Sequence, residues 1–453
     1  MLSLLVYFIC LAAARAQLLE LNEGKVKGFE YKTKKGDIAE VFLNIPFASP
    51  PIGELRFERP QPPKPWVGVR NGTTFGAACV PIVPEAAFTD SIKLSEDCLS
   101  LNIIRPKPKA SSQNLLPILF YVHGSGFFST GDEEIPGNMG LFDMAEALKF
   151  VHSNAKRIGG DPLRITAWGD SAGGAAAAHL ILSPITRDGI FLLHPDEMAA
   201  TAPTKVSIIG VTAKEAIGFA LLWPTLEFFH SLYIDPSRYS TWDREKLVKK
   251  LMEFVMKTYV GNHLSNILQE VIRFYVDRDE EKHFEFYLER YVEFLSDVLF
   301  NVPAVDGILA RRSAGWDIYA YVFDYCPPEF DDDKIPGRLR GATHGSEFVY
   351  VGDISALMGG REFKEEEAKI AEFLGESLSE FAKNGQPSNN QQPWLRVKAD
   401  SAIRFMNIAP KCEMKTGFFN ESASFWQKTR KYGFDMVKLL RTGNDTEKVK
   451  EEL

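Results

Sequence analysis

The stretch RITAWGDSAGGAAAAHLIL, residues 164–182, decides the fold. Its first part, residues 165–168, is apolar with β-branched side chains, as expected of a buried strand. Its last part is rich in Ala and Leu, which favour helix. Between them, GDSAG at 169–173 is a G-x-S-x-G motif, typical of a sharp strand-to-helix turn that presents a nucleophilic serine, Ser171. Glycine is expected on both sides of Ser171, because the turn packs closely against its neighbours.

A serine hydroxyl becomes a good nucleophile when a histidine accepts its proton and a carboxylate orients that histidine. In this architecture the chain order is serine, acid, histidine. Of the eight histidines we favour His344, which lies in the loop GATHGSE after the strand-like segment WDIYAYVFDY. Glu215, just beyond a Val/Ile-rich strand at 206–211, is the favoured acid. Asp306 is the rival acid, although we interpret it as a helix-start or capping residue.

The overall composition is that of an ordinary soluble globular protein. The 453 residues are 45% apolar and 25% charged, with a formal net charge of -8. A nucleic-acid partner is not expected, because phosphate binding requires a basic stripe. The chain contains no Cys/His cluster with zinc spacing, so we expect neither a metal nor an organic cofactor.

The N-terminus predicts entry into the secretory pathway. Residues 2–14 form an apolar run that is too short to span a bilayer comfortably, and the small-x-small pattern Ala14-Arg15-Ala16 follows. We interpret residues 1–16 as a signal peptide; the alternative is a buried N-terminal helix. No other segment has the pattern of a membrane span.

In a protein of the secretory pathway, cysteines can form disulfides and N-x-S/T sequons can carry glycans. The mature chain keeps four cysteines, which allow three pairings by sequence alone: Cys79, Cys98, Cys326 and Cys412. Three N-x-S/T sequons predict glycans on surface loops, at Asn71, Asn420 and Asn444.

The tail at 447–453 ends in KEEL, one conservative step from the K-D-E-L retrieval signal. It predicts retention in the endoplasmic reticulum lumen through a retrieval receptor. The alternatives are a solvated charged tail and a secreted protein.

Five longer motifs extend across the chain: FLNIPFASPPIGELRF at 42–57, SEDCLSLNI at 95–103, GGDPLRITAWGDSAGG at 159–174, SPITRDGIF at 183–191 and GATHGSEFVYV at 341–351. Together they resemble the carboxylesterase/cholinesterase-like group of α/β-hydrolases (type-B carboxylesterases). Within that group, the sequence resembles the gut esterases of nematodes. The resemblance covers nearly the whole mature chain.

The resemblance implies an α/β-hydrolase fold, with a mostly parallel central sheet and helices on both faces. It implies a single domain over 17–446 with a helical cap around 225–299. The implied activity is hydrolysis of small carboxylic esters. The implied triad is Ser171, Glu215 and His344.

Further site features follow from the same resemblance. The backbone N–H groups of Ser125, Gly126 and Ala172 would form the oxyanion hole. Cys79 and Cys98 would form a disulfide. Cholinesterase relatives bind a quaternary ammonium group on a tryptophan between these two cysteines. Residues 80–97 contain no tryptophan, so general carboxylic esters are expected rather than choline esters.

Two departures from the family pattern stand out. In YVHGSGFFSTGDEEIPGN, 121–138, the end of the oxyanion strand runs directly into a turn that follows a further helix and strand in the family. After SPITRDGIF, another strand and a long helical stretch are missing. Loss of strands beside the nucleophile strand would expose backbone edges and apolar faces. We therefore expect little activity from this chain; the alternatives are an inactive isoform and a non-catalytic binding or adhesion module.

Overall fold

The structure is a computed structural model. It describes residues 17–80, 93–108, 114–124, 139–183, 195–223, 231–259, 261–327, 335–351, 362–398 and 402–435. The predicted signal peptide, the tail with KEEL and the two junctions lie outside the described residues.

The strands, in chain order, are β1 (Gln17–Glu20), β2 (Lys25–Lys32), β3 (Ile38–Pro46), β4 (Val69–Asn71), β5 (Ser100–Pro106), β6 (Leu116–Val122), β7 (Gly160–Gly169), β8 (Ser207–Thr212), β9 (Ile318–Phe323), β10 (Arg404–Ile408) and β11 (Glu413–Thr416). The α-helices are α1 (Met139–Asn154), α2 (Ala172–Leu182), α3 (Pro195–Thr201), α4 (Arg244–Thr258), α5 (Leu264–Tyr275), α6 (Phe284–Ser296), α7 (Val302–Ser313), α8 (Glu365–Asn384) and α9 (Asn420–Thr429). Two π-helices also occur, π1 (Gly218–Leu222) and π2 (Asp297–Asn301).

The chain divides into two compact units. The first comprises the described residues of Met1–Val80, Thr89–Phe120 and Phe127–Thr166, and the second those of Pro81–Phe88, Tyr121–Gly126 and Ala167–Leu453.

The first unit contains a sheet of order β1-β2-β3-β5, with β4 paired to β2. The segment β3 is buried because it is apolar on both faces and pairs with β2 and β5. Val41, Phe42 and Ile45 are fully buried. The predicted Cys79–Cys98 disulfide is present here, with a Cα–Cα distance of 5.0 Å.

The second unit contains a sheet of order β11-β10-β9-β8, in which β8, β9 and β10 run parallel. Side chains of β9 alternate between two helical layers. Ile318, Ala320 and Val322 pack in a cluster with residues of α7, whereas Tyr319 and Phe323 pack in a cluster with residues of α8. Helices therefore cover both faces of this mostly parallel sheet. The single, mostly parallel central sheet that was predicted is not seen among the described residues, whose strands form three separate sheets.

Helices α4, α5 and α6 lie within the segment predicted to form a cap. Each presents an apolar stripe at helical spacing, as with Ile267, Val271 and Tyr275 of α5, all fully buried. The helical character of the segment is confirmed, and its role as a cap stays a prediction. Among the described residues, no helix combines the length and the apolar composition that crossing a membrane requires.

A third sheet contains β6 and β7. Within the part of the chain that the structure describes, these strands pair only with each other. The segment predicted as a buried strand, within β7, is only half-buried, and Leu163 on the same strand is 90% exposed. This arrangement agrees with the expected exposure of strand edges beside the nucleophile strand.

Candidate active site

Ser171 lies between the end of β7 and the start of α2, in a strained backbone conformation. Its φ is 55° and its ψ is -131°, a region that a residue with a Cβ occupies only when its surroundings enforce it. The predicted strand-to-helix elbow is therefore present, and the Ser171 side chain is exposed.

Close packing explains the two glycines of the motif. A Cβ at Gly169 would lie 2.4 Å from the carbonyl carbon of Gly173, and a Cβ at Gly173 would lie 2.2 Å from the carbonyl oxygen of Val122. Both distances are far shorter than a van der Waals contact. The elbow thus holds β7, β6 and α2 together at a point where no side chain fits.

Glu215 lies just after β8, and its carboxylate is held at both oxygens. The backbone N–H of Thr212 donates to Oε1 at 2.7 Å, and Nδ1 of His344 lies 2.6 Å from Oε2. The residue is only 4% exposed. The structure therefore brings the favoured acid and the favoured base into direct contact.

The rival acid is engaged elsewhere. Asp306 lies inside α7, one turn beyond its start, where it accepts hydrogen bonds from Gln427 and Arg430. The capping interpretation of Asp306 was wrong, because α7 continues directly from π2 and begins before this residue.

The loop that carries His344 is bound to the loop that carries Glu215. The N–H of His344 donates to the backbone oxygen of Glu215 at 3.1 Å, and the hydroxyl of Thr343 donates to the same oxygen at 3.2 Å. The Thr343 hydroxyl also accepts from the N–H of Gly218 at 2.9 Å. These bonds fix the imidazole relative to the acid through the main chain.

Three carboxylates influence the charge of this histidine. Burial opposes protonation of the imidazole, but the hydrogen bond to Glu215 and the charges of Glu215, Glu347 and Asp170 raise the His344 pKa overall. The Nε2 atom is buried and makes no hydrogen bond to any described residue. A hydrogen bond from Ser171 to His344 is thus not formed in the structure.

Glu347 is a site residue to which the sequence analysis gave no role. Its carboxylate accepts a hydrogen bond from the Tyr321 hydroxyl at 3.3 Å. Burial and the nearby charge of Glu215 raise its pKa to about 7. The available signal was its position three residues after His344, in the same quoted loop.

Asp170 ties the elbow to the neighbouring strand. The Tyr121 hydroxyl donates to Asp170 Oδ1 at 2.5 Å, and the Tyr121 ring lies 4.7 Å from the ring of Trp168 between centroids. Burial and the Asp170 carboxylate raise the pKa of Tyr121. Tyr121 therefore acts as a neutral hydrogen-bond donor.

Of the predicted oxyanion donors, Ala172 is the first residue of α2, where backbone N–H groups lack an intrahelical acceptor. Ser125 and Gly126 lie outside the described residues. Among the residues that the structure does describe, no three His, Cys, Asp or Glu side chains gather as metal ligands.

The remaining modification sites differ in exposure. Asn71 is exposed on β4, and its Oδ1 accepts from the hydroxyl of Thr73 at 2.8 Å. Asn420 begins α9, but Ser422 of the same sequon is buried. Asn444 lies outside the described residues, and glycosylation of all three stays a prediction. Among the described residues, Cys326 and Cys412 are not part of a disulfide.

A serine on a strained strand-to-helix turn and a hydrogen-bonded Glu–His pair after parallel strands are the marks of an α/β-hydrolase. The sequence profile of the Carboxylesterase family matches residues 15–128, 125–191 and 186–426. The chain belongs to this Carboxylesterase family, which confirms the fold class.

Its relatives include esterases of nematodes and mammals. Gut esterase 1 of Caenorhabditis elegans is 28% identical over 540 aligned residues, covering 93% of this chain and 94% of that protein. Gut esterase 1 of Caenorhabditis briggsae is 28% identical over an alignment of 571 residues, which covers 100% of this chain and 99% of that protein. Acylcarnitine hydrolase of Mus musculus is 27% identical over 522, covering 90% of each chain.

These alignments bear on the two departures from the family pattern. Each alignment spans more positions than the 453 residues of this chain, so each relative has residues that are aligned with gaps in this chain. The three segments of the family match meet at 125–128 and 186–191. Those are the two places where the sequence predicted a junction.

Proposed function

We propose that this chain is built to hydrolyse carboxylic esters through Ser171, His344 and Glu215. The observation that carries the proposal is the partly buried hydrogen bond between His344 Nδ1 and Glu215 Oε2, at 2.6 Å, in a chain whose Ser171 occupies a strained strand-to-helix turn. Family membership and the esterase names of the relatives support the same reaction class.

The mechanism assigns one role to each residue. His344 accepts the proton of Ser171 at Nε2 as the hydroxyl oxygen attacks the acyl carbon. Glu215 keeps the other ring nitrogen protonated and stabilises the imidazolium that forms. The N–H of Ala172, with those of Ser125 and Gly126, stabilises the oxyanion. His344 then protonates the leaving alcohol, and water hydrolyses the acyl-enzyme by the same steps.

The structure also supports low activity for this chain as it stands. Nε2 of His344 has no hydrogen-bond partner among the described residues, and Ser171 is exposed on a two-stranded sheet. A displacement of about 1 Å from reactive geometry lowers the rate about a hundredfold. We therefore expect this chain to have little or no esterase activity, although it retains the three proposed catalytic residues.

A fluorophosphonate probe tests the assignment of the nucleophile. The adduct is expected on Ser171, absent from Ser171→Ala and unchanged in Ser237→Ala, which removes an exposed serine remote from the elbow. An adduct on another serine that survives Ser171→Ala would refute the nucleophile. A cooperatively folded protein that never labels would instead favour the binding-module alternative.

The compartment belongs to the same proposal. The predicted signal peptide, the Cys79–Cys98 disulfide and the terminal KEEL are together consistent with the endoplasmic reticulum lumen. Deleting residues 450–453 should increase the secreted fraction. An unchanged secreted fraction would contradict retrieval and favour the charged-tail alternative.

A further inference from the structure

Two π-helices, from distant parts of the chain, lie beside the candidate base. π1 begins three residues after Glu215, and π2 joins α6 to α7. A π-turn contains one more residue than an α-turn, is rare, and is frequently found at functional sites. Each of these π-helices carries one phenylalanine that contacts His344.

The two rings and the imidazole form one cluster of three aromatic rings. The ring centroid of Phe219, on π1, lies 5.3 Å from that of His344, and the centroid of Phe300, on π2, lies 4.5 Å from it. The two phenylalanine rings stack on each other at 5.7 Å. His344 thus has an aromatic contact from each π-helix and a carboxylate at Nδ1.

A buried polar network fixes π2. Asp297 is 1% exposed and accepts hydrogen bonds from the Tyr275 hydroxyl and from the Asn301 amide, both at 2.9 Å. The Asn301 bond spans the π-turn from its first residue to its last. The Tyr275 hydroxyl accepts in turn from the indole of Trp426 at 2.8 Å. The position of Phe300 is therefore set by groups deep in the helical core.

π1 is joined both to π2 and to the histidine loop. The N–H of Ala216 donates at 3.0 Å to the hydroxyl of Ser296, the residue before π2. The N–H of Gly218 donates to Thr343, which precedes His344. A Cβ at Gly218 would lie 2.4 Å from the Trp223 ring, so only glycine fits there. The acid loop, both π-helices and the base thus form one connected arrangement.

We propose that Phe219 and Phe300 are positioning residues, whose rings hold the His344 imidazole in the orientation that keeps Nδ1–H on Glu215 and leaves Nε2 as the free base. The proposal rests on the proposed function for its purpose, but not for its geometry. Without the rings, the side chain of His344 would have room to rotate about its χ angles and break the bond to Glu215. The charged groups that face the imidazole, which are Glu215, Glu347 and Asp170, would be unchanged by substitution of either ring.

The test measures His344 directly by NMR of protein labelled with ¹⁵N-histidine, with His344→Asn assigning its signals. The readouts are water exchange of the Nδ1 proton and the pH at which the ring titrates. Phe300→Leu and Phe300→Ala remove the ring in two steps, and Phe219→Leu repeats the first step on π1. The control is Phe254→Ala, since Phe254 is also half-buried but packs against Phe294 in the helical region.

We expect Nδ1 exchange to accelerate by about threefold to tenfold, in the order wild type, Leu, Ala, as the scale of aromatic contacts suggests. The pH of titration should shift in the same variants, and the control should match wild type. Equal exchange and titration in wild type and in a folded Phe300→Leu or Phe219→Leu variant would overturn the proposal, even if the alanine variant failed to fold.

Fluorophosphonate labelling of Ser171 separates this inference from the proposed function. If His344 responds as expected but Ser171 never labels, the positioning role stands and the esterase assignment fails. If Ser171 labels at the wild-type rate in every folded ring variant while exchange is unchanged, the esterase assignment stands and the positioning role fails.

Discussion

The proposed acid–base pair and the proposed nucleophile rest on supports of very different quality. Glu215 is buried and His344 is half-buried; the two are bonded to each other and tied to two π-helices and to the loop after β8. Ser171 is exposed at the end of β7, whose only strand partner in the described chain is β6. The residues for a reaction and the scaffold that aligns them can therefore be lost separately.

The difference follows from strand pairing. In the second unit β9 is paired on both sides, by β8 and β10, and is covered on both faces. β7 has one paired edge among the described residues and is only half-buried. At an unpaired strand edge the backbone N–H and C=O groups are exposed to water, and on an uncovered face the apolar side chains are exposed to water as well.

Restoring the missing support should have the largest effect. A chimera that carries a relative's residues at the two junctions, near 125–128 and 186–191, should exceed this chain by a hundredfold to ten-thousandfold in kcat/KM on p-nitrophenyl butyrate. The gain should disappear with Ser171→Ala. If this chain instead turns over the ester as fast as the chimera, with saturation and with loss of activity in Ser171→Ala, then the support of Ser171 is as good as that of Glu215 and His344.

Hydrogen exchange compares the two supports without requiring activity. Backbone amides of β9 should exchange at least about a hundredfold more slowly than those of β7, because β9 opens only when the sheet does. Val322 and Trp168 provide a direct pair for comparison. Equal protection factors would show that the two-stranded sheet is as stable as the parallel one.

Asp297, which fixes π2 beside His344, should influence how the free energy of unfolding depends on pH. Burial raises the pKa of Asp297 to about 6 from an ordinary value of 3.8. Between these values the folded state holds a proton that the unfolded state has released, so stability falls as pH rises through this window. Relative to Asp297→Asn, wild type should lose about 2–3 kcal/mol between pH 4 and pH 7.

Urea unfolding at each pH measures this difference. Glu347→Gln is the matched comparison, because burial raises the pKa of Glu347 to about 7 and its window should extend further toward neutral pH. A constant difference between wild type and Asp297→Asn across the pH range would contradict the role given to Asp297.

The smallest effect concerns the hydrogen bond that Tyr121 of β6 donates to Asp170. Tyr121→Phe removes the hydroxyl that donates to Asp170, which should destabilise the elbow locally by about 1–2 kcal/mol. Amide exchange at 168–172 should accelerate while the exchange of β9 stays constant. Uniform acceleration in both strands would mean that the two regions unfold together.

Local constraints made the strand-to-helix turn at Ser171 and the pairing of Glu215 with His344 predictable, while their catalytic roles stay a prediction. The glycines at 169 and 173 are required by contacts between adjacent elements, and such requirements are written in a short motif. Glu215 and His344 followed from the chain order of the architecture and from the strands before them. The disulfide followed from family resemblance alone and is confirmed.

Features that depend on long-range burial were not predictable. An extra residue in a helical turn leaves the apolar pattern almost unchanged, so π1 and π2 gave no signal. Glu347 and Asp297 look like ordinary surface carboxylates until the fold buries them. Ser125 and Gly126, the signal peptide and the retrieval tail lie outside the described residues and remain predictions.

The alternation along β9 has a consequence for how this protein can diverge. Even-numbered positions such as Ile318 and Ala320 are constrained by the layer that contains α7, and odd-numbered positions such as Tyr319 and Phe323 by the layer that contains α8. A substitution in one layer therefore calls for compensating changes on that side only. The two cores, one on each face of the same sheet, can in this way accumulate substitutions independently of each other.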